Sequence, residues 1–333
     1  MKKNLKYISA AIGLTIFAVL IAKMGVGTIL EHLGKVGWWM LPAFIPSILW
    51  NMTNTYAWFQ FLQPLSKKAD IKELFKIKVI GEAVNVMTPV NFIAGDPARA
   101  YLLRHRYQMT ECAASVVVDR TLFLISALII ILIGTALAFV ELEFLPNNIK
   151  YGLPIVLAIA ATFVGFIFVH QHKGLFSSLI EISRRFRIKK TFSSATLENF
   201  GEVDGHIQDF YEKNKKGFWI AILSFLLGRV LGAVEIFIIG WSLDHQFPFK
   251  IAFMLAAAAP IINFAFAFIP GSLGVLESTY TAILYFMNFH PAIGITIQII
   301  RRLRAVIWLA VGFIFLGTHD RKRLLEAEAR HEI

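Results

Sequence analysis

From Thr121 to Val140 the chain reads TLFLISALIIILIGTALAFV, without a single charged residue. Nothing else in the sequence restricts the fold as much. A helix of about 20 apolar residues covers the hydrocarbon of a bilayer and satisfies its backbone amides internally. Runs of this kind recur, and the candidate spans are residues 7–25, 38–62, 112–140, 152–170, 217–242 and 292–317. The whole chain agrees: of its 333 residues 57% are hydrophobic and 17% charged, with a mean hydropathy of +0.63, which excludes a soluble domain. Lys2, Lys3 and Lys6 precede an apolar run from Tyr7 to Ala22 that resembles a signal peptide. No small-x-small cleavage pattern follows, so it reads as an uncleaved first span.

Two other apolar regions, residues 79–103 and 251–289, are interrupted by proline, glycine and an acid, and each reads as a hairpin that dips into the bilayer and returns. In the second, AFAFIPGSLGVLEST (265–279), Pro270, Gly271 and Gly274 break the helix just ahead of Glu277. Backbone amides freed inside hydrocarbon cost several kcal/mol unless they are buried in protein or line a watery cavity. The break therefore predicts a cavity.

The formal net charge of +11 is concentrated in loops and tails. That distribution favours anionic lipid headgroups as the partner and argues against nucleic acid, for which no module is visible. Basic residues crowd the N-terminus, the 63–78 loop (Lys67, Lys68, Lys72, Lys76, Lys78), residues 99–106, the 171–216 loop and the tail after Gly317. The positive-inside rule places all five, and both termini, in the cytoplasm. The acidic 141–151 segment falls outside. Six crossings satisfy this only if both hairpins return to the side they came from, the first entering from the cytoplasm and the second from outside. Within the 171–216 loop, Leu197, Phe200, Val203, Ile207 and Phe210 mark an amphipathic stretch, read either as an interfacial helix on the membrane or as a plain connection.

A constant shift of 181 positions carries Pro89, Asp96 and Arg120 onto Pro270, Glu277 and Arg301, and Asn54 onto Glu235. Each unit reads as span, broken hairpin with an acid, then span with an arginine. Because the hairpins enter from opposite faces, the units are inverted, as in many secondary transporters that bind substrate at the repeat interface. The expected fold is thus an all-α polytopic membrane protein of about six full spans plus two re-entrant broken hairpins in inverted-topology repeats. It is a single integral membrane domain over 1–333. Within it lie an N-terminal span (1–30), repeat one (38–140), a connecting span and cytoplasmic loop (141–216), repeat two (217–317) and a cytoplasmic tail (318–333).

A charge at a helix centre costs on the order of 2.5–3.5 kcal/mol on insertion scales, so the charges within the spans must face a cavity or one another. They are Asp119, Arg120, Arg229, Glu235, Arg301, Arg302 and Arg304, with Asp96 and Glu277 in the hairpins. Arg301 and Arg304 share a helix face and fit a clamp on one anion, while Arg302 points about 100° away. The competing reading is a buried network in which Asp96 and Glu277 neutralise Arg120, Arg301 or Arg229. Asn91 and Asn263 offer amide donors to a headgroup or to the broken backbone. The single cysteine, Cys112, excludes an internal disulfide and a cysteine metal cluster, and His105 and His170 have no partner at ligand spacing, so neither a metal nor another cofactor is expected. GxxxxGK, GxSxG, HExxH and CxxC are absent, and the residues after the last span are too few for a catalytic domain.

GDPAR at 95–99, ASVVVDR at 114–120, IPGSLGVLE at 269–277 and the arginines at 301–304 together resemble the transmembrane region of lysylphosphatidylglycerol synthases, a flippase-like domain also seen as a stand-alone protein. The resemblance spans roughly residues 5–318. It implies a helical inner-membrane protein with lipid translocation or lipid-linked roles. The residues carried over are Gly95, Asp96, Arg99, Asp119, Arg120, Gly271, Gly274, Glu277 and Arg301. The family often has a second glycine where Ser272 or Leu273 stands here. The synthase domain of two-domain members is missing, so aminoacyl transfer is not expected. The leading expectation is a lipid flippase or transporter for an anionic or phosphate-linked lipid, not an enzyme. Alternatives are a non-transporting lipid-binding accessory of a lipid or glycan synthesis enzyme, and an intramembrane lipid-modifying enzyme.

Overall fold

The computed structural model describes residues 26–65, 69–87, 94–141, 147–174, 176–177, 194–266, 272 and 274–331. Among these there is no strand. The helices are α1 (Val26–Val36), α2 (Met40–Leu62), α3 (Ile71–Met87), α4 (Gly95–Leu103), α5 (Met109–Glu141), α6 (Asn147–Lys173), α7 (Ser194–Lys213), α8 (Lys215–Leu243), α9 (Phe249–Ala265), α10 (Val275–Phe286) and α11 (Ala292–His331). The expected first span, 7–25, lies outside the described residues. α5 and α8 are long and apolar enough to cross a bilayer, and their most apolar windows are only 28% and 39% buried. Helices that apolar, with Leu132, Ile133, Leu223 and Leu227 turned outward, need hydrocarbon as their solvent.

Local chemistry sets the helix ends. The Asn214 side chain caps α8 by accepting from the Gly217 amide at 3.0 Å, and Pro248, fixed in extended backbone, precedes α9. Gly274, at φ +83°, starts α10, and Glu277 accepts its amide at 2.9 Å. α3 ends at Met87 and α4 starts at Gly95, and α9 ends at Ala265 and α10 starts at Val275; the expected breakers Pro89, Pro270 and Gly271 lie outside the described residues. The first broken unit begins earlier than expected. α3 starts at Ile71, so Lys78 belongs to its interior and not to a solvated loop.

Two of the main contacts, α3 on α11 and α9 on α5, map onto each other when α2–α5 are exchanged with α8–α11, whereas α8 packs more extensively on α5 than α2 does on α11. α2 and α8 run antiparallel: Asn214 Nδ2 donates to the Gln60 carbonyl at 2.9 Å, Gly228 lies against Trp50 and Thr53 midway, and Trp39 meets Trp241 edge-on at 5.0 Å at the other end. α3 packs on α11, where Gly312 fits against Ala83 and the Val79 carbonyl, and α9 packs on α5, where Gly134 fits against Ala257. Each crossing uses a glycine, as close helix approach in a membrane favours. One core, around Trp58, Ile77, Leu122 and Phe225, joins α2–α5 with α7 and α8. A second, around Ile236, Leu255, Tyr280 and Ile297, joins α8–α11.

α7 corrects the interfacial reading. Val203, Ile207 and Phe210 are buried in the first core, Phe210 against Phe61 at 5.1 Å, so protein and not lipid takes up that apolar stripe. Asp204 accepts from the Phe176 and Ser177 amides at 3.0 and 2.9 Å, tying that segment to α7. Tyr211 donates to Gln171 at 2.7 Å, and burial pushes its phenol well above the usual range.

α3 and α4 meet through Gly95, whose amide donates to Asn85 Oδ1 at 2.7 Å. A Cβ there would collide with the Gly81 carbonyl and the Asn85 amide. Gly95→Val is expected to destabilise the protein by about 1–3 kcal/mol through overpacking, read as a lower melting temperature in detergent. The same substitution at Gly232, where a Cβ meets nothing within 4 Å, serves as the tolerant control.

Candidate functional site

Asp96 stands in the first turn of α4, where the partial positive charge of the helix N-terminus favours an acid. Arg120 of α5 forks onto it, Nε to Oδ2 at 2.8 Å and Nη2 to Oδ1 at 2.9 Å. Arg99, one turn along α4, donates to Asp96 Oδ1 at 2.8 Å and to Asp119 Oδ2 at 2.7 Å, its guanidinium 5.0 Å from the Trp58 ring centre. Lys78 of α3 donates to the other Asp119 oxygen at 3.0 Å and to the Asn54 carbonyl of α2 at 2.7 Å. The result is an alternating chain, Lys78–Asp119–Arg99–Asp96–Arg120, with three cations to two anions. It is buried at the Lys78–Asp119 end, where the side chains are 6% and 5% exposed, and open at Arg120, which is 24% exposed.

The second cluster is built from α8, α10 and α11. Glu235, on the inner face of α8 toward its C-terminal third, takes Arg304 of α11 as a close partner, and the Arg301 Nε lies 3.7 Å from the same oxygen. Arg301 also donates to the Tyr280 hydroxyl at 3.0 Å, and that hydroxyl donates to the Leu255 carbonyl at 2.8 Å. Arg304 sits 5.4 Å from the Trp50 ring centre, which brings α2 into the site. Glu277 pairs with Arg302 while capping α10. Again three cations face two anions.

Arg229 belongs to neither cluster. At the midpoint of the 29-residue α8, it donates to Ser126 Oγ at 2.9 Å and to the Phe123 carbonyl at 2.8 Å, and stacks on the Phe123 ring at 4.3 Å.

The structure thus gathers Asp96, Arg99, Asp119 and Arg120 into one cluster and Glu235, Glu277, Arg301 and Arg304 into another. The shared face of Arg301 and Arg304 holds, and so does the divergence of Arg302. The pairing does not: Glu277 takes Arg302, and Arg301 turns to Glu235 and Tyr280. Helical phase explains it, because Arg301 and Arg304 face α8 while Arg302 faces the start of α10. Gly95 contributes packing and Gly274 the start of α10. Asn263 makes no hydrogen bond or ion pair to a described residue. Asn91 and Gly271 lie outside the described residues.

Lys78 and Tyr280 escaped the reading of the sequence. Lys78 was grouped with the solvated lysines because five fall between 67 and 78. Only its register, one position past Ile77 and a turn past Leu74, both buried, marks it as inward. Among the described residues no group of three His, Cys, Asp or Glu side chains is placed to hold a metal ion.

A groove of about 500 Å³ runs between α10 and the start of α11, lined by Glu277, Ser278, Thr281, Tyr285, Phe286 and Ile295. Its far end is aromatic and outward-facing, with Tyr285 and Phe286 exposed, and its near end is the Glu277 carboxylate. The Thr281 hydroxyl along it is buried without a hydrogen-bond partner.

A family model described as Lysylphosphatidylglycerol synthase TM region matches residues 7–312. No curated protein and no solved structure matches the chain.

Proposed function

The chain belongs to the lysylphosphatidylglycerol synthase TM region family, and from that premise we propose that it moves an anionic, phosphate-linked lipid between the leaflets of the inner membrane. The two units are inverted repeats, 38–140 and 217–317, joined by 141–216, with both termini cytoplasmic. α2 and α8, equivalent under the 181-residue shift, pack antiparallel, and equivalent antiparallel helices are related by a two-fold axis perpendicular to both. For helices that cross the bilayer, that axis lies in the membrane plane. The exchange-symmetrical packing of α3 on α11 and α9 on α5 supports the same reading.

The observation that carries the transport reading is the state of the charges. Charged groups in a membrane protein are expected to be sealed, yet Arg120 within α5 and Glu277 at the start of α10 are 24% and 20% exposed, and the Glu235–Glu277 cluster sets three arginines against two carboxylates, while in the Asp96–Asp119 cluster Glu82 also acts on Lys78 and Arg99. Such a site favours an anion and remains open to it. The headgroup enters between the repeats while the acyl chains stay in the bilayer, one of them along the α10–α11 groove. Arg120 takes part in holding phosphate at the open end of its cluster, and Arg301 and Arg304 hold it once Glu235 yields. Asp96 and Glu277 set selectivity or carry a proton. No covalent chemistry is assigned to the site.

A leaflet-resolved assay in proteoliposomes tests this. Headgroup-labelled phosphatidylglycerol should reach the opposite leaflet at least about tenfold faster than in protein-free vesicles, with lipid mass unchanged. A change of lipid mass identifies an enzyme. Equal rates with and without protein sink the transport reading and leave a lipid-binding accessory.

A further inference from the structure

Arg229 poses a problem that neither cluster answers. A guanidinium at the centre of an apolar spanning helix is among the most costly groups to place in a bilayer, and among the described residues Arg99, Arg120, Arg301, Arg302 and Arg304 each have a carboxylate. Arg229 has only a hydroxyl, a carbonyl and a ring, and no carboxylate of a described residue reaches it.

Its direction matters as much as its partners. Trp219, Leu223 and Leu227 mark the lipid face of α8, all more than half exposed. Arg229 lies on the other side, one turn past Phe225 and two before Ile236, which are 1% and 0% exposed. Between two sealed neighbours it is nevertheless only half-buried. Gly232, one turn further on, has nothing within 4 Å of where a Cβ would stand. Arg229 therefore lies on the side of α8 away from its lipid face, toward α5. Arg120 borders the same spot, with its guanidinium 5.8 Å from the centre of the Phe123 ring against which Arg229 stacks. Since Asp96 already takes up Arg120, Arg229 is, among the described residues, the mid-membrane charge without a carboxylate partner.

We infer that Arg229 is the primary seat for the ligand anion, a phosphate oxygen pair carrying a single negative charge, with Arg120 across the Phe123 ring as the second donor. The inference deepens the lipid-transport reading and rests on it for the source of the anion. The fork left over after the bonds to Ser126 and Phe123 suits phosphate, and one negative charge balances one guanidinium. A phosphodiester in a lipid headgroup and free phosphate share this chemistry.

The test measures binding to the purified full chain in detergent, with fluorescent phosphatidylglycerol and, separately, inorganic phosphate as probes, alongside the rise in melting temperature that each confers. Arg229→Gln should weaken phosphatidylglycerol binding at least about tenfold, as expected for loss of a charged hydrogen-bonding group. It should also abolish the lipid-dependent thermal shift. Arg229→Lys, which keeps the charge and the fold, should recover only part of the binding because the fork is lost. Saturation by inorganic phosphate at the same affinity as the lipid would assign the seat to the free ion and overturn the lipid assignment. Unchanged phosphatidylglycerol affinity in Arg229→Gln, or in Arg229→Lys should the glutamine variant fail to fold, overturns the inference and leaves Arg229 as a strut between α8 and α5. The two readings fail separately. A wild-type chain that binds through Arg229 but does not move lipid keeps the seat and loses the transporter, whereas transport with unaltered affinity in the variants does the reverse.

Discussion

Replacing Asp119 by leucine is expected to cost the folded protein on the order of 3–5 kcal/mol, the usual penalty for removing one partner from a buried ion pair. Asp119 is 5% exposed and joins two cations from two different helices, Lys78 of α3 at 3.0 Å and Arg99 of α4 at 2.7 Å. Without it Arg99 still has Asp96, but Lys78 keeps only the Asn54 carbonyl. Lys78 is therefore the stranded charge, and it lies beside the Phe225 ring with no water to move to. The expected result is a fall in melting temperature, or loss of the monodisperse peak in detergent. Adding Lys78→Met to Asp119→Leu should restore most of the stability, because the double change removes both charges and leaves Arg99 paired. If Asp119→Leu melts like wild type, the alternating chain is not what holds α3 and α4 to α5. If Lys78→Met restores nothing, Arg99 and not Lys78 is the stranded group.

The parts of this arrangement legible in the sequence are those written in single-residue chemistry. Proline, glycine and an acid within an apolar run announce a broken helix, and new helices start at Gly95 and Val275 within the two regions so marked. The 181-residue shift marks Asp96 and Arg120 as one matched set, and the competing network reading lets Asp96 neutralise Arg120, which it does. The matched Glu277 and Arg301 are not paired, since the shift finds equivalent positions but cannot say which neighbouring side chain competes. Glu235 stands where the first unit has the neutral Asn54, so Arg301 is drawn toward α8 and Glu277 falls to Arg302. Tyr280 shows the same limit from the other side, because its counterpart in the first unit is Arg99. A tyrosine bridging Arg301 to the Leu255 carbonyl in one unit does the positional work of an arginine between two aspartates in the other. Burial hid Lys78 and redirected α7. A lysine among lysines reads as solvated, and an amphipathic stripe reads the same whether lipid or protein covers it.

Glu235 decides between a phosphate clamp and a structural network. The carboxylate is 2% exposed, with Arg304 as its close partner and Arg301 at 3.7 Å. A carboxylate and a phosphate present the same acceptor geometry to a guanidinium, so an acid held this way is what a displaceable stand-in for a headgroup would look like. If the clamp is real, Glu235→Gln frees two arginines for ligand. Anionic vesicle lipid should then stabilise this variant more than it stabilises wild type, with affinity for phosphatidylglycerol raised by about tenfold, the worth of one charged contact at roughly 1.4 kcal/mol. Arg304→Gln should lose transport while remaining folded, and combining it with Glu235→Gln should not bring transport back. If the network is only structural, the signs reverse. Glu235→Gln strands buried cations and loses on the order of 3–5 kcal/mol, added lipid leaves the loss in place, and Arg304→Gln in the same chain recovers both stability and transport. Melting curves with and without phosphatidylglycerol, paired with leaflet assays on the single and double variants, separate the two. Near-normal transport in the double variant would leave Arg304 no part in holding phosphate.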